Sequence, residues 1–489
     1  MNSSSDGLDH RERLRVVVGA LMVMLLAAID QTIMSPALPT IGAALGDLDW
    51  IAWVVTAYFL TSTAVTPLYG KLCDLKGRRP TLYAAVAIFA LGSAICALAP
   101  SMMVLVIGRA VQGLGGGGLV SLVQTIIGDV VPPAQRARYM VHISTVWAVA
   151  SIAGPLAGGV FAEHLHWSLI FWINLPLSAI AVVMIRRALA RVPDVTHPAR
   201  LDLLGSALVV AATVAFMLAL TWGGVRMAWT SPTIVGLLAG SLALYAVFAR
   251  HLLVTEEALV PIAVLKNPVV AVVVAALFFS MGAYVGMSVY APLWFELVHG
   301  LAPASAGFGL LALTLGTVAG ASVSGRVLGR VVHYRRFALA GSALAIVATA
   351  TLAWFAATLP FWGAEAVMAA AGFGTGTVFP ICTVATQNAV ERRDLGVAMG
   401  ALAFVRSLGS VVAVSVLGAI LLAHGFAGVG EGMAHGAGAA ATVDPRAGAA
   451  FGGLFAAVVV GQVIGFVFLC FLEERPLHGH GHGHAPAPE

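Results

Sequence analysis

Long apolar runs alternate with short polar segments along the whole chain, and the runs are too continuous to be one face of a soluble helix. A helix crossing about 30 Å of hydrocarbon needs about 20 mainly apolar residues. Runs of that kind begin near Val16, Ile51, Thr81, Met102, Tyr139 and Trp167, cover Leu203–Trp222 and Thr233–Ala249, and resume near Val269, Ala304, Phe337, Trp362, Leu395 and Ala450. The pattern predicts an all-α polytopic membrane protein of fourteen spans in the order six, two, six. Its expected units are an N-terminal six-span bundle over 1–202, two additional spans and a linker over 203–268, a C-terminal six-span bundle over 269–475, and a His/Gly/Pro-rich disordered tail over 476–489. The Gly/Ala-rich stretch from Gly425 to Gly448 reads as a flexible outer linker.

Composition excludes the soluble classes. The chain is 60% hydrophobic and 10% charged, where a soluble domain has about a quarter of its residues charged. Arg11, Arg13 and Arg15 precede the first run, which is too long for a signal-peptide core and lacks a small-residue cleavage site, so it is expected to stay as a span. Cys73, Cys96, Cys382 and Cys470 have no paired spacing that suggests a disulfide or zinc site. His478, His480, His482 and His484 alternate with glycine in the tail, which has incidental metal affinity at most, and no metal site is expected. There is no phosphate-cradling GxxxxGK[ST] loop and no nucleophile–base constellation, which argues against an ATPase or a membrane enzyme.

Charge then sets the orientation. With both ends cytoplasmic, all but four of the 26 Lys and Arg fall in cytoplasmic segments; Arg226 and Arg446 lie outside, and Arg109 and Arg406 lie within spans. That asymmetry is the positive-inside pattern.

Few residues are left to carry chemistry inside the spans. Asp30 lies about 22 Å along the first span from Arg15 at 1.5 Å per residue, and Arg109 in the fourth span is level with it. An intramembrane carboxylate is costly and is by default a functional residue. Either the pair is a proton switch, in which protonation of Asp30 loosens its hold on Arg109, or it is a permanent salt bridge that specifies packing. Gln112, one turn from Arg109, is expected to line the substrate cavity. Glu296, at the outer end of the seventh span, is a second candidate for proton coupling or a solvated end residue. Glu163 and Glu365 read as interfacial. Arg406 falls near the midplane of the eleventh span, where it either meets an anionic group or faces water in a cavity. Tyr58, Trp147, Tyr284, Tyr290, Phe379 and Phe404 lie on cavity-forming spans and would suit flat lipophilic cations if they face inward.

The segment Gly70–Pro80, GKLCDLKGRRP, joins the second and third spans with an acid, Asp74, two glycines, Gly70 and Gly77, and the bases Lys71, Lys76, Arg78 and Arg79, which are expected at the membrane surface. It resembles the G-x-L-A-D-R-x-G-R-K signature of the major facilitator superfamily, with Cys73 and Leu75 departing from it. A weaker echo at Gly325–Arg336 has Gly329 at the acid position. IGRAVQGLGGG, Ile107–Gly117, resembles that family's span 4 motif, and GPLAGG, Gly154–Gly159, its antiporter motif in span 5, where Gly154 and Gly158 form a small-xxx-small face and Pro155 a kink. WSLIFWINLP, Trp167–Pro176, resembles the entrance to span 6 in the 14-span drug:proton antiporters of the EmrB/QacA type. Together with the LDLLG segment before the extra pair, the resemblance covers essentially the whole chain.

The resemblance implies a cavity between two six-span bundles, gating through Gly70, Asp74, Gly77, Arg78, Arg79, Asp129, Arg136, Arg138, Gly154, Pro155, Gly158 and Gly159, and contacts of Asp74 with Arg136 or Arg138 and of Arg78 with Asp129. It also implies a proton-coupled multidrug efflux antiporter with protons as its only coupling agent, no enzyme activity, small lipophilic substrates and no nucleic-acid partner. The expected setting is the bacterial inner membrane, as a monomer, with a periplasmic adaptor as an open question. A dedicated exporter of an endogenous metabolite or lipid fits the same motifs, and a non-transporting sensor fits less well because the intramembrane charges are retained.

Overall fold

The computed structural model describes residues 10–46, 50–189, 201–255, 257–301, 306, 309–328, 334–426 and 446–474. Hydrocarbon offers no partners for backbone N–H and C=O groups, so a chain of this composition satisfies them within helices. The first group is α1 (His10–Ile33), the short α2 (Leu38–Leu45), α3 (Ile51–Lys76), α4 (Arg78–Ala97), α5 (Met102–Val130), α6 (Pro133–His164), a single turn α7 (Leu169–Trp172) and α8 (Asn174–Leu189). Then come α9 (Leu203–Trp222), α10 (Pro232–Val254), the short α11 (Ile262–Lys266), α12 (Pro268–His299), α13 (Leu310–Leu328), α14 (Tyr334–Phe355), α15 (Phe361–Ala389), α16 (Leu395–Ala423) and α17 (Ala447–Cys470). Among the described residues, thirteen helices are long and apolar enough to cross a membrane. The 26-residue α3 stands beside them, packed along α5 and α16. Large apolar side chains such as Leu242, Leu253 and Val254 on α10 point outward, as a surface solvated by lipid requires.

Two bundles meet along two seams. In the first, α1 packs on α5, α6 and α8, and α5 packs on α3 and α4; in the second, α12 packs on α16 and α17, and α15 on α13 and α14. The bundles touch where α3 lies against α16 and where α6 lies against α13. Small residues allow these crossings. A Cβ on Gly70 would stand 2.6 Å from the Gly396 carbonyl oxygen, so the first seam requires glycine there.

The segment expected to be a surface loop is almost entirely helical. α3 runs to Lys76 and α4 starts at Arg78, so the turn is Gly77 alone, at φ +92°. A side chain is strained at that φ, which accounts for the glycine. Two of the bases expected at the surface are buried instead: Lys71 donates to the Ala258 carbonyl at 2.9 Å, and Arg78 is enclosed by partners described below. Both carry hydrogen bonds that offset the loss of water. The weaker echo at Gly325–Arg336 and the Gly/Ala-rich stretch fall partly outside the described residues, and the histidine tail and the side chain of Arg138 lie outside them entirely.

The pair α9–α10 sits beside the α3–α16 seam, with α9 against both helices. Asp202 ties it together. Its carboxylate caps α9 by accepting from Gly205 N at 2.8 Å, accepts from Leu259 N at 3.1 Å, and meets His251 Nε2 of α10 at 2.8 Å. Val209, Leu259, Val260 and Val397 form the apolar cluster under this staple. Burial works against the Asp202 charge, but these hydrogen bonds outweigh it and hold the carboxyl below its usual range. A depressed folded-state pKa contributes stability that is present above the unfolded value and lost as pH falls through the folded one. Asp202→Ala is therefore expected to cost about 0.5–2 kcal/mol, the range for a lost N-cap. Thermal unfolding in detergent checks this: the melting temperature falls at neutral pH, and the gap from wild type closes in strong acid.

Candidate functional site

α5 places Arg109 and Gln112 one turn apart, so both side chains project from one face toward α1. Arg109 Nη1 donates to Asp30 Oδ2 at 2.9 Å and to Gln112 Oε1 at 2.7 Å, and Nε donates to the Val54 carbonyl at 3.0 Å. Gln112 Nε2 donates to Asp30 Oδ1 at 2.7 Å and to Ser93 Oγ at 2.8 Å. Asn174 Nδ2, from the first position of α8, donates to Asp30 Oδ1 at 2.9 Å. The carboxylate thus receives three N–H groups from two helices. All five residues are at most 1% exposed. The Tyr58 ring lies under the guanidinium, 4.4 Å from Arg109 Cζ to the ring centroid, a cation–π arrangement.

Such a pair is strong in context and expensive in isolation. Removing either partner leaves a desolvated charge, at about 3–5 kcal/mol. α1 is also locked to α6: Thr32 Oγ1 donates to the Ala150 carbonyl at 2.8 Å, and Gly154 and Gly158 press against Thr32 and Ile33. Gly159 faces open space and takes no part in that crossing, and Pro155 lies within a helix that continues past it.

A second cluster closes the end of the bundles at Gly77. Arg78 pairs with Asp129 at 2.6 Å and Asp74 at 3.2 Å, and donates to the Arg392 carbonyl at 3.1 Å. Asp74 also accepts from Gly396 N at 3.1 Å and Val397 N at 2.8 Å. It therefore caps the start of α16 from the other bundle, where a negative charge meets the positive end of the helix dipole. Arg136 does the reverse, donating to the Gly128 carbonyl at 2.5 Å, to the Val131 carbonyl at 3.1 Å and to the Gln387 carbonyl of α15 at 3.0 Å. Gln387 Nε2 returns a bond to the Gln124 carbonyl at 3.0 Å. The expected contact of Asp74 with Arg136 is not made: Asp74 pairs with Arg78 and caps α16, and Arg136 donates to the carbonyls at the ends of α5 and α15. Arg78 does reach Asp129, and Arg79 is half-buried beside them.

The aromatic residues separate. Tyr58 belongs to the buried acid–arginine cluster. Tyr290 is 6% exposed in the second core, its hydroxyl donating to the Val414 carbonyl at 2.7 Å, because burial of a phenol requires an acceptor. Phe404 packs on the cluster beneath α9–α10, and Trp147 on the first core. Tyr284 and Phe379 remain as a half-buried edge-to-face pair, with centroids 6.3 Å apart. Arg406 is half-buried in α16 next to Ser407, which hydrogen-bonds Thr63 across the seam at 2.6 Å. Glu296 lies near the end of α12, outside the Asp30 cluster. Ser93, Asn174 and Gln387 were not singled out by sequence reasoning. Asn174 had a signal, a lone amide among the apolar residues of WSLIFWINLP.

Two bundles, the first enclosing a buried acid–arginine pair and the two joined at one end by charge–helix contacts, define a membrane transporter architecture. A model of the Major Facilitator Superfamily matches residues 20–414, and the chain belongs to that family. It is 31% identical over 430 residues to the multidrug transporter protein MdtP of Bacillus subtilis, covering 87% of this chain and 78% of that protein. It is 33% identical to the efflux pump aflT of Aspergillus parasiticus, covering 84% and 81%. It is 34% identical to the uncharacterized MFS-type transporter Rv1877 of Mycobacterium tuberculosis, covering 84% of this chain and 60% of that protein, so it spans less than two thirds of that relative. Among solved structures, the human organic anion transporter MFSD10 (TETRAN) superposes at TM-score 0.64 and 16% identity over 94% and 99% of the two chains. A bacterial homologue of the iron transporter ferroportin, in an outward-facing state, does so at 0.66 and 11% over 95% and 100%. Those likenesses establish the fold.

Asp74→Ala removes the cap on α16 and one partner of Arg78. Charge-assisted bonds contribute about 1.5–3 kcal/mol each, so the closed end is expected to open at least tenfold more often. Cys73, fully buried beside Asp74, reports this. In a Cys470→Ser background, its alkylation by N-ethylmaleimide should accelerate by about that factor, and an unchanged rate would count against the clasp.

Proposed function

We propose that this chain is a proton-coupled multidrug efflux antiporter that exports lipophilic, often cationic compounds by alternating access. The observation that carries the reading is the Asp30–Arg109 pair, a titratable acid with its counter-charge wholly inside the apolar bundle. Protonating Asp30 weakens the pair and lets α1 and α5 reseat. Because α1 is fastened to α6, and α6 carries Arg136 at the closed end, a shift of α1 bears on the bonds to Gln387 and Gly128. The names of the relatives, a multidrug transporter and efflux pumps, support export over import.

The distribution of Lys and Arg supports a bacterial inner membrane placement with both termini cytoplasmic. The closed end then faces the cytoplasm, and the substrate leaves toward the outside. Tyr284 and Phe379 are the aromatic surface best placed for flat cations, by stacking and cation–π contact. No cofactor is invoked beyond protons. The protein works as a monomer on small molecules, and none of its described residues calls for an adaptor.

Proton release from inverted vesicles on addition of ethidium tests the reading. Wild type is expected to release protons, and Asp30→Asn at matched expression to lose the release entirely. Arg109→Ala leaves the carboxylate uncompensated, and the cost of about 3–5 kcal/mol is expected to appear as reduced folded yield. Unchanged release in Asp30→Asn would remove this acid from coupling and move attention to Glu296. No response of wild type to any such cation would favour a dedicated exporter of an endogenous metabolite or lipid.

A further inference from the structure

Asn174 is bonded on one side only. Its Nδ2 donates to Asp30 Oδ1, and more distantly to Ser93 Oγ at 3.4 Å. Its Oδ1 is buried with no hydrogen-bond partner among the described residues. Buried carboxamide oxygens are normally paired, so an idle one facing a titratable acid calls for a reason. The amide orientation follows from the charge on Asp30. An ionised carboxylate only accepts, so turning Oδ1 toward it would set two acceptors against each other.

A protonated Asp30 has the opposite need. It gains an O–H donor and requires an acceptor within the cluster. Gln112 Oε1 already takes an Arg109 N–H, and Ser93 Oγ takes N–H groups from Gln112 and Asn174. Asn174 Oδ1 is the carboxamide oxygen of the cluster that has no donor among the described residues. The terminal torsion of asparagine is broad and roughly two-fold, so a half-turn exchanges Nδ2 for Oδ1 without moving the backbone.

We propose that Asn174 is a positioning residue that serves both charge states of Asp30, as donor to the carboxylate and, after a half-turn of its amide, as acceptor to the protonated acid. This rests on the reading of Asp30 as the proton carrier. The consequence is directional. α8 stays hydrogen-bonded to α1 through the proton cycle, while the charge attraction to Arg109 on α5 is the contact that weakens. Protonation therefore loosens α1 from α5 and carries α8 along with α1. The charged and titratable groups facing Asp30 are Arg109 from α5, Tyr58 from α3, whose hydroxyl meets Gln31, and Cys96 from α4. α6 meets α1 here through Ala150 and Gly154, and α8 contributes Asn174 itself.

Infrared difference spectra of the reconstituted full chain between alkaline and acidic pH test the proposal. A carboxyl C=O band that appears on acidification in wild type and is absent in Asp30→Asn belongs to Asp30. In Asn174→Leu the band is expected at higher frequency, because the acid has lost its acceptor. In Asn174→Asp a second carboxylate opposes ionisation, and the band is expected to appear at least about one pH unit higher. Asn174→Ser, whose hydroxyl both donates and accepts, is expected to displace the band less than Asn174→Leu, and it is the variant to read if the others do not fold. A band at the wild-type frequency and midpoint in the folded Asn174 variants would overturn the role of Asn174 while leaving Asp30 as carrier. If no band depends on Asp30, the reading of Asp30 as carrier fails and this role falls with it.

Discussion

A buried charge must be answered within the bilayer, and nearly every specific feature of this molecule follows from where that is done. Water cannot stabilise Asp30 or Arg109 at that depth. Gln112 one turn along α5, Asn174 of α8, Ser93 of α4 and the Val54 carbonyl of α3 are therefore drawn together, and the helices that carry them are fixed in register by the bonds they make. The glycines and small residues of α4, α5 and α6 follow from the same need, because short polar side chains reach one another only where backbones approach closely. Gly92 packs directly against the backbone of Gln112 and illustrates the point.

The same constraint is met differently at the closed end. Arg78 has two acids; Asp74, one of them, also caps the start of α16 in the other bundle, and Arg136 donates both to the end of α5 in its own bundle and to Gln387 at the end of α15 in the other. The bonds from Asp74 to the start of α16 and from Arg136 to Gln387 exist only while the two bundles are together there. A charge whose partner is the end of a neighbouring rigid body is released when that body tilts, whereas a charge paired within its own bundle is carried along. Gly70 against Gly396, next to Asp74, lets the helices come near enough for this. The α9–α10 pair reinforces the seam from the side, held by Asp202 and by Lys71 reaching into the linker.

Much of this is legible in the sequence alone. The limits of α9 and the start of α16 fall where the apolar runs begin and end, because span length is set by the bilayer and not by tertiary context. Asp30 and Arg109 stand out because charges in such runs are rare, and level depth is enough to pair them. The partners of Asp74 and Arg136 are not legible, since a helix terminus from the other bundle leaves no mark on the residues that contact it. The aromatic residues escape for a related reason. Helical runs that are apolar on every side carry little periodicity, so Tyr58, Tyr290 and Phe404 can be placed on spans but not on faces. The break between α7 and α8, which brings Asn174 to a helix start, is likewise hidden in a run that reads as one span.

Distances across the closed end, measured as the proton state changes, test most directly that the Asp30–Arg109 pair governs the clasp. Spin labels at Lys76→Cys on α3 and Arg393→Cys before α16, in a Cys470→Ser background, report that separation by electron–electron double resonance. Wild type is expected to shift its distance distribution between alkaline and acidic pH, and Asp30→Asn to hold one distribution at both. The same shift in Asp30→Asn as in wild type would show that the clasp answers to some other group.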